Sequence, residues 1–357
     1  MMQISPETQL FIREHSSDDV RVLALQAKKY PDIDMPTAIT QIAGRKVAAE
    51  KIPSWWEIEK IWYPKHLSLE QCSSEITARY KARLLQGDSL TDLTGGFGID
   101  CSFLATGFKS TTYVERQEEL CEIAAHNFPV LNLNHINIKN EDGVTYLQAM
   151  SPVDCLFLDP ARRNEHGGKT VAISDCEPNV AELEELLLQK ANRVMIKLSP
   201  MLDLSLALKE LKQTQEVHIL SVNNECKELL ILLGQTSPAE ISIHCVNLFT
   251  KGTQKEQHFV FTREQEQCSE CTYTDSLETY LYEPNASLLK AGAFRSIAAA
   301  YPVRKLHPNS HLYTSDTFIE NFPGRIFRIV NQCSFNKKEV KENPRHSSRT
   351  PQTNPFG

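Results

Sequence analysis

A glycine turn between a short apolar strand and a distant acid constrains this chain more than any other feature. The stretch from Asp88 to Glu115 reads DSLTDLTGGFGIDCSFLATGFKSTTYVE. Leu90 to Leu93 is a short apolar strand, and Gly95-Gly96-Phe97-Gly98 is a turn. The next segment is a helix with Asp100 near its start and Phe103, Leu104 and Phe108 on its buried side. Thr111 to Val114 is a second strand that ends in Glu115. Strand, glycine turn, helix, strand and acid make the opening of a nucleotide-binding βαβ unit. Glycine has no Cβ, so the backbone there can approach a ligand closely. The third glycine of a dinucleotide fingerprint would fall at Cys101, so the turn is not of that kind.

The alternation continues for another hundred residues or so, the pattern of a doubly wound α/β domain. Helix is expected over 117–128, strand over 136–139, short helix over 144–150 and strand over 155–158. That fourth strand runs into Asp159-Pro160-Ala161-Arg162-Arg163. A long helix then ends near Gln189, a fifth strand covers 193–197, and a helix covers 204–211. Val217 to Val222, a turn at Asn223-Asn224 and Glu228 to Leu233 read as a hairpin.

Residues 1–70 read as a helical module, with apolar residues at helical spacing over 7–13, 20–29 and 35–50. Trp55, Trp56 and Trp62 lie at its end, either as a packing seam or as an aromatic platform for bases. The α/β domain takes 71–237, a strand pair and polar linker 238–275, and a small α+β module 276–320. Residues 321–357 begin another element, but after about 338 the chain loses its apolar pattern and is expected to be disordered.

With 357 residues and 41% hydrophobic content, the chain can bury a large core. Its net charge of −7 excludes a globally basic nucleic-acid binder but leaves room for a local basic face. The polar start MMQISPETQLFIREH does not read as a leader and none is expected, no run is long and apolar enough for a membrane, and ten scattered cysteines suggest a reducing cytoplasm. The close pair Cys268-Ser269-Glu270-Cys271 lacks two further ligands, so no metal is expected.

The spacing Asp92-Leu93-Thr94-Gly95-Gly96-Phe97-Gly98 resembles the first motif of class I S-adenosylmethionine (SAM) methyltransferases. The resemblance implies SAM as cofactor, contacted by Asp92, Thr94, Gly95, Gly96 and Gly98. Glu115 is placed for the ribose hydroxyls and Asp142 for the adenine amino group. A parallel sheet closing in an antiparallel hairpin resembles the Rossmann-like methyltransferase order 3-2-1-4-5-7-6. Asp159-Pro160-Ala161-Arg162 resembles the [Asn/Asp]-Pro-Pro-aromatic motif of enzymes that methylate planar nitrogens, with Ala161 and Arg162 departing from it. There the acid and the next carbonyl hold the target N–H, which makes Asp159 and Pro160 the catalytic pair and Arg162 and Arg163 substrate contacts. RNA uracil-5 methyltransferases share a similar motif, but they need a cysteine after the fifth strand, where this chain has Lys197-Leu198-Ser199-Pro200.

Through LEQCSSEITARYKA, DLTGGFGID, FLDPARR and MIKLSP, and more loosely YLYEPNASLLKAGAF and FPGRIFRIV, the chain resembles bacterial class I methyltransferases with a THUMP-like C-terminal domain. That resemblance implies a ferredoxin-like module near 277–320, a truncated THUMP-like segment from Phe322, and a tRNA or rRNA substrate methylated on a base nitrogen. Methylation of a protein side-chain amide, or a non-catalytic SAM- or RNA-binding adaptor, are the alternatives.

Overall fold

Four apolar stretches alternate with helices and become adjacent parallel strands. They are β1 (Ser89–Asp92), β2 (Ser110–Glu115), β3 (Ile136–Asn140) and β4 (Val153–Leu158), and β5 (Ala191–Leu198) joins them in parallel. β6 (Thr214–Val222) and β7 (Glu225–Gly234) follow, and β7 inserts antiparallel beside β5. The resulting order is β3-β2-β1-β4-β5-β7-β6, as the resemblance implied. Leu156 to Leu158, Val194 to Ile196 and Leu229 to Leu233 are almost wholly buried. Runs this continuously apolar need cover on both faces, which is why they form central strands. Each such side chain contributes about 1.5–3 kcal/mol by leaving water.

The computed structural model describes residues 4–162, 172–236 and 238–332. By their contacts they fall into two units, the described residues of 4–217 with 228–239, and of 218–227 with 240–332. No helix among the described residues is long and apolar enough to cross a membrane.

The first unit opens with α1 (Pro6–Glu14), α2 (Val20–Leu25) and α3 (Met35–Lys51). Ser5, Asp19 and Asp34 cap them through side-chain oxygens, and proline stands in the first turn of α1 and α3. Then come α4 (Pro53–Trp56), α5 (His66–Gln71) and α6 (Glu75–Ala82). The strands are linked by α7 (Ile99–Ala105), α8 (Glu118–Val130), α9 (Gly143–Ala149), α10 (Val180–Lys190) and α11 (Leu204–Glu210).

Trp55 is buried edge-on against Phe97 of the glycine turn, with centroids 5.2 Å apart. Trp62 stacks on His126 of α8 at 3.7 Å. The packing-seam reading therefore fits these two, and Trp56 alone of the three is exposed. The helical module is thereby fastened to the turn that carries the first motif.

The second unit contains the hairpin tip at Asn223-Asn224, where both residues take positive φ as a tight turn requires. It also holds a hairpin of β8 (Ser242–Leu248) and β9 (Glu256–Thr262), then α12 (Arg263–Cys268). A small sheet follows: β10 (Tyr280–Pro284), β11 (Arg304–Lys305), β12 (Tyr313–Ser315) and β13 (Gly324–Arg328), in the order β11-β12-β10-β13, with α13 (Ala286–Ala291) and α14 (Phe294–Ala300).

The structure adds to two sequence readings here. Residues 265–275 are more than a linker, because the Glu266 carboxylate on α12 accepts the N–H groups of Phe294, Arg295 and Ser296 at 2.8–3.0 Å and caps α14. Residues 324–328, read as the start of a THUMP-like domain, form the edge strand of the small sheet beside β10. Gly324 permits that approach, since a Cβ there would lie 2.1 Å from the Glu283 carbonyl oxygen. The expectation of disorder after about 338 lies outside the described residues.

Candidate active site at the carboxyl edge of the sheet

In an open α/β sheet, ligands sit beyond the carboxyl ends of the strands. β1, β2 and β4 there deliver Asp92, Glu115 and Asp159 to one edge. The glycine turn between them is tightly braced. Gly95 N–H donates to Val114 O at 2.8 Å, and the Tyr113 hydroxyl donates to Gly96 O at 2.5 Å. Glu115 Oε2 accepts Gly96 N–H at 2.9 Å and its Oε1 accepts Gln117 N–H at 2.8 Å. Each of those oxygens keeps a second lone pair.

The three glycines serve different ends. A Cβ on Gly95 would lie 2.2 Å from the Tyr113 ring, so Gly95 is required by packing. Gly98 has φ +85° and begins α7 against Phe128. Gly96 has φ +54°, and a Cβ there would meet only Thr94 O, at 3.7 Å. The open face of the turn is therefore at Gly96.

Asp92 is buried, and its Oδ1 accepts Thr94 N–H at 3.0 Å. Burial, together with Asp100, Asp159 and Glu115, pushes its carboxyl well above the usual range despite that hydrogen bond. The Thr94 hydroxyl joins the two motifs, accepting Asp159 N–H at 2.6 Å. Asp159 remains 37% exposed at its side chain, enough for a substrate group to reach it, and Pro160 beside it is buried. Asp142 is exposed and caps α9, its Oδ1 accepting Val144 and Thr145 N–H at 3.0 Å. Arg162 is placed by its backbone, which pairs with Cys176 in a two-residue antiparallel bridge. Arg163 lies outside the described residues.

The sequence reading missed the charges behind this edge. Lys197, on β5, pairs with Asp159 Oδ2 and lies 3.6 Å from Asp100 Oδ2. Asp100, in the first turn of α7, lies 3.1 Å from Lys81 Nζ and accepts the Ser73 hydroxyl at 2.7 Å. Lys81, fully buried on α6, also donates to Ser73 Oγ at 3.0 Å and to Glu228 Oε2 at 2.5 Å. Burial opposes ionisation of Asp100, but Lys81 and Lys197 outweigh it and hold its carboxyl low. Burial alone would lower Lys197, yet Asp159, Asp100 and Glu228 raise it, so it stays charged. One signal was present in the sequence. Lys197 and Glu228 each stand inside or beside an otherwise buried apolar run, whereas Lys81 lies in a mixed polar stretch with no such mark.

The cavity lined by Ser89, Val153, Asp154, Leu188, Ala191 and Gln235 lies at the amino ends of β1, β4 and β5, the opposite edge.

A parallel sheet with this strand order, its glycine turn and its edge acids define an α/β fold of the methyltransferase type, joined to a small antiparallel module. Residues 280–323 match a family model described as a ferredoxin-like domain. The chain is similar to the crystal structure of a protein described as a methyltransferase from Porphyromonas gingivalis W83. The identity is 34%, the TM-score 0.83, and the match covers 96% of this chain and 86% of that one. The chain belongs to the family of that protein. Two weaker likenesses carry no argument. One is to a modification subunit of a type I restriction enzyme from Vibrio vulnificus YJ016, at 11% identity and TM-score 0.38 over 56% of each chain. The other is to a Streptococcus mutans protein described as a methyltransferase and solved with SAH, at 13% identity and TM-score 0.33 over 45% of this chain and 96% of that one. No curated protein matches the sequence.

Proposed function

We propose that the chain is a SAM-dependent methyltransferase acting on a base nitrogen in RNA, either tRNA or rRNA, in the cytoplasm. One observation carries the reading: a partly exposed carboxylate, Asp159, is hydrogen-bonded through its backbone to Thr94, beside the braced glycine turn. The site suits SAM on two counts. The face at Gly96 is open, and the edge gathers Asp92, Asp100, Glu115, Asp159 and Glu228 against Lys81 and Lys197. An excess of carboxyl groups favours a ligand that carries a sulfonium and an ammonium. Gly96 and Gly98 would seat it, with Asp92 and Thr94 at the turn, Glu115 on the ribose hydroxyls and Asp142 near the adenine amino group. Bound SAM supplies a methyl group on an electron-poor sulfur.

The chain's own part is positioning. Asp159 and the Pro160 carbonyl accept hydrogen bonds from the target N–H and aim the nitrogen lone pair. The proton on nitrogen can leave after transfer, so no strongly basic group is needed. Arg162 and Arg163 follow Asp159-Pro160 in the sequence and would meet phosphates, the contacts that position a nucleic acid.

The test has two arms. Calorimetry should show SAM binding lost or greatly weakened in Gly96→Val and Glu115→Ala, with the fold intact by circular dichroism. Methyl-labelled SAM incubated with total RNA and, separately, total protein should label the RNA. Label confined to protein would move the reading to side-chain amide methylation, and a chain that binds no SAM would refute it.

A further inference from the structure

The alternating charges behind Asp159 serve no purpose in the mechanism above, although all four, Lys81, Asp100, Lys197 and Glu228, are buried. We propose that Lys197 is the positioning residue of this site, holding Asp159 ionised and fixing one of its oxygens so that the other is free to accept the target N–H. The proposal rests on the methyl-transfer reading.

A lysine as buried as Lys197, at 8% exposed, is rare unless paired. Its ammonium lies between two carboxylates, Asp159 on the substrate side and Asp100 at 3.6 Å behind. Asp100 cannot follow a moving lysine, because Ser73 and Lys81 hold it, and Lys81 is held in turn by Glu228. Lys197 is therefore fixed from behind. It engages Asp159 Oδ2, and Oδ1 has no partner among the described residues. The backbone N–H of Asp159, bonded to Thr94, fixes the other end of the residue. One oxygen is left presented at the edge in a set direction, which is what a positioning acid requires.

The pair also sets the protonation state. Among the described residues, the groups facing Asp159 are Lys197 from β5, Asp100 from α7, Lys81 from α6 and Asp92 from β1. Burial, Asp100 and Asp92 all favour the protonated acid and keep the carboxyl above its ordinary range, and Lys197 is the principal group that limits that rise. Without Lys197 the carboxyl would titrate upward, and a protonated acid donates a hydrogen bond where the site needs an acceptor.

The experiment compares native protein with Lys197→Met, Lys197→Arg and Asp159→Asn. Infrared titration of the protein without SAM reads the carboxylic-acid carbonyl band that Asp159→Asn removes. That band should be missing at pH 7 in native protein and in Lys197→Arg, present in Lys197→Met, and lost from the latter as pH rises. In methyl transfer, Lys197→Met should lower kcat at pH 7 on the order of a hundredfold. It should recover partly at higher pH and leave SAM affinity unchanged. Added to Asp159→Asn, it should cause no further loss. If Lys197→Met does not fold, Lys197→Gln takes its place in both arms. An Asp159 that stays ionised without Lys197, or a further loss in the double variant, overturns the proposal. The infrared arm uses neither SAM nor substrate, so inactivity of the native protein would sink the methyl-transfer reading separately.

Discussion

Replacing Lys81 by methionine tests the buried charge network most directly. Lys81 is wholly buried and has three partners: Glu228 at 2.5 Å, Ser73 at 3.0 Å and Asp100 at 3.1 Å. Methionine fills most of the same volume, so the cavity contribution is small and the loss is electrostatic. Removing one member of a buried ion pair costs about 3–5 kcal/mol, because the other charge is left without compensation. Asp100 would keep Ser73 and, at 3.6 Å, Lys197, whereas Glu228 would lose its ion-pair contact and keep Lys197 only at longer range. The expected loss is therefore near the lower end, about 3 kcal/mol. Glu228→Gln placed on top should recover about 1–2 kcal/mol, since it removes the stranded charge. The pH dependence follows in sign. A stranded buried carboxylate has its folded pKa raised above its unfolded value, so the penalty is full at neutral pH and shrinks on acidification. Native Asp100 is shifted the other way, and its stabilising share persists until pH falls below its ordinary range. Urea unfolding followed by tryptophan fluorescence is the assay, because all three tryptophans, at 55, 56 and 62, lie in the first unit. A loss under about 1 kcal/mol, or a double variant no more stable than the single, would refute the argument.

Asp92→Asn should stabilise the protein near neutral pH while weakening SAM binding. Its folded pKa lies well above the unfolded value, and each unit of displacement is worth about 1.4 kcal/mol, so ionising it opposes folding. The gain should vanish in thermal melts below about pH 4. Gly95→Ala should cost about 1–3 kcal/mol in denaturant titrations, since its Cβ meets the Tyr113 ring. Gly96→Ala should cost about 1–2 kcal/mol for its left-handed backbone, with the larger effect on calorimetric SAM affinity.

The strand order and the glycine turn were legible because they rest on local pattern. Apolar runs, turn residues and the spacing from Gly96 to Glu115 are set by neighbours along the chain. The places of Asp92, Thr94, Glu115 and Asp159 were legible for the same reason, since each stands at or just past the end of a strand that its own sequence specifies. The Asn223-Asn224 turn belongs with them, because its positive φ values follow from the residue type.

What only the tertiary structure decided is which distant groups meet. Lys81 and Glu228 are 147 residues apart in sequence, and Lys197 and Asp159 are 38 apart. A charged residue in a sequence reads as solvent-exposed, because burying it costs free energy unless an opposite charge is supplied. That partner comes from another element, and hydrophobic periodicity says nothing about which one. The same limit hid the pairing of β13 with β10 and the capping of α14 by Glu266. Gly95 shows it in miniature. Its lack of a side chain reads as room for a ligand, and the fold fills that room with the ring of Tyr113 from the next strand.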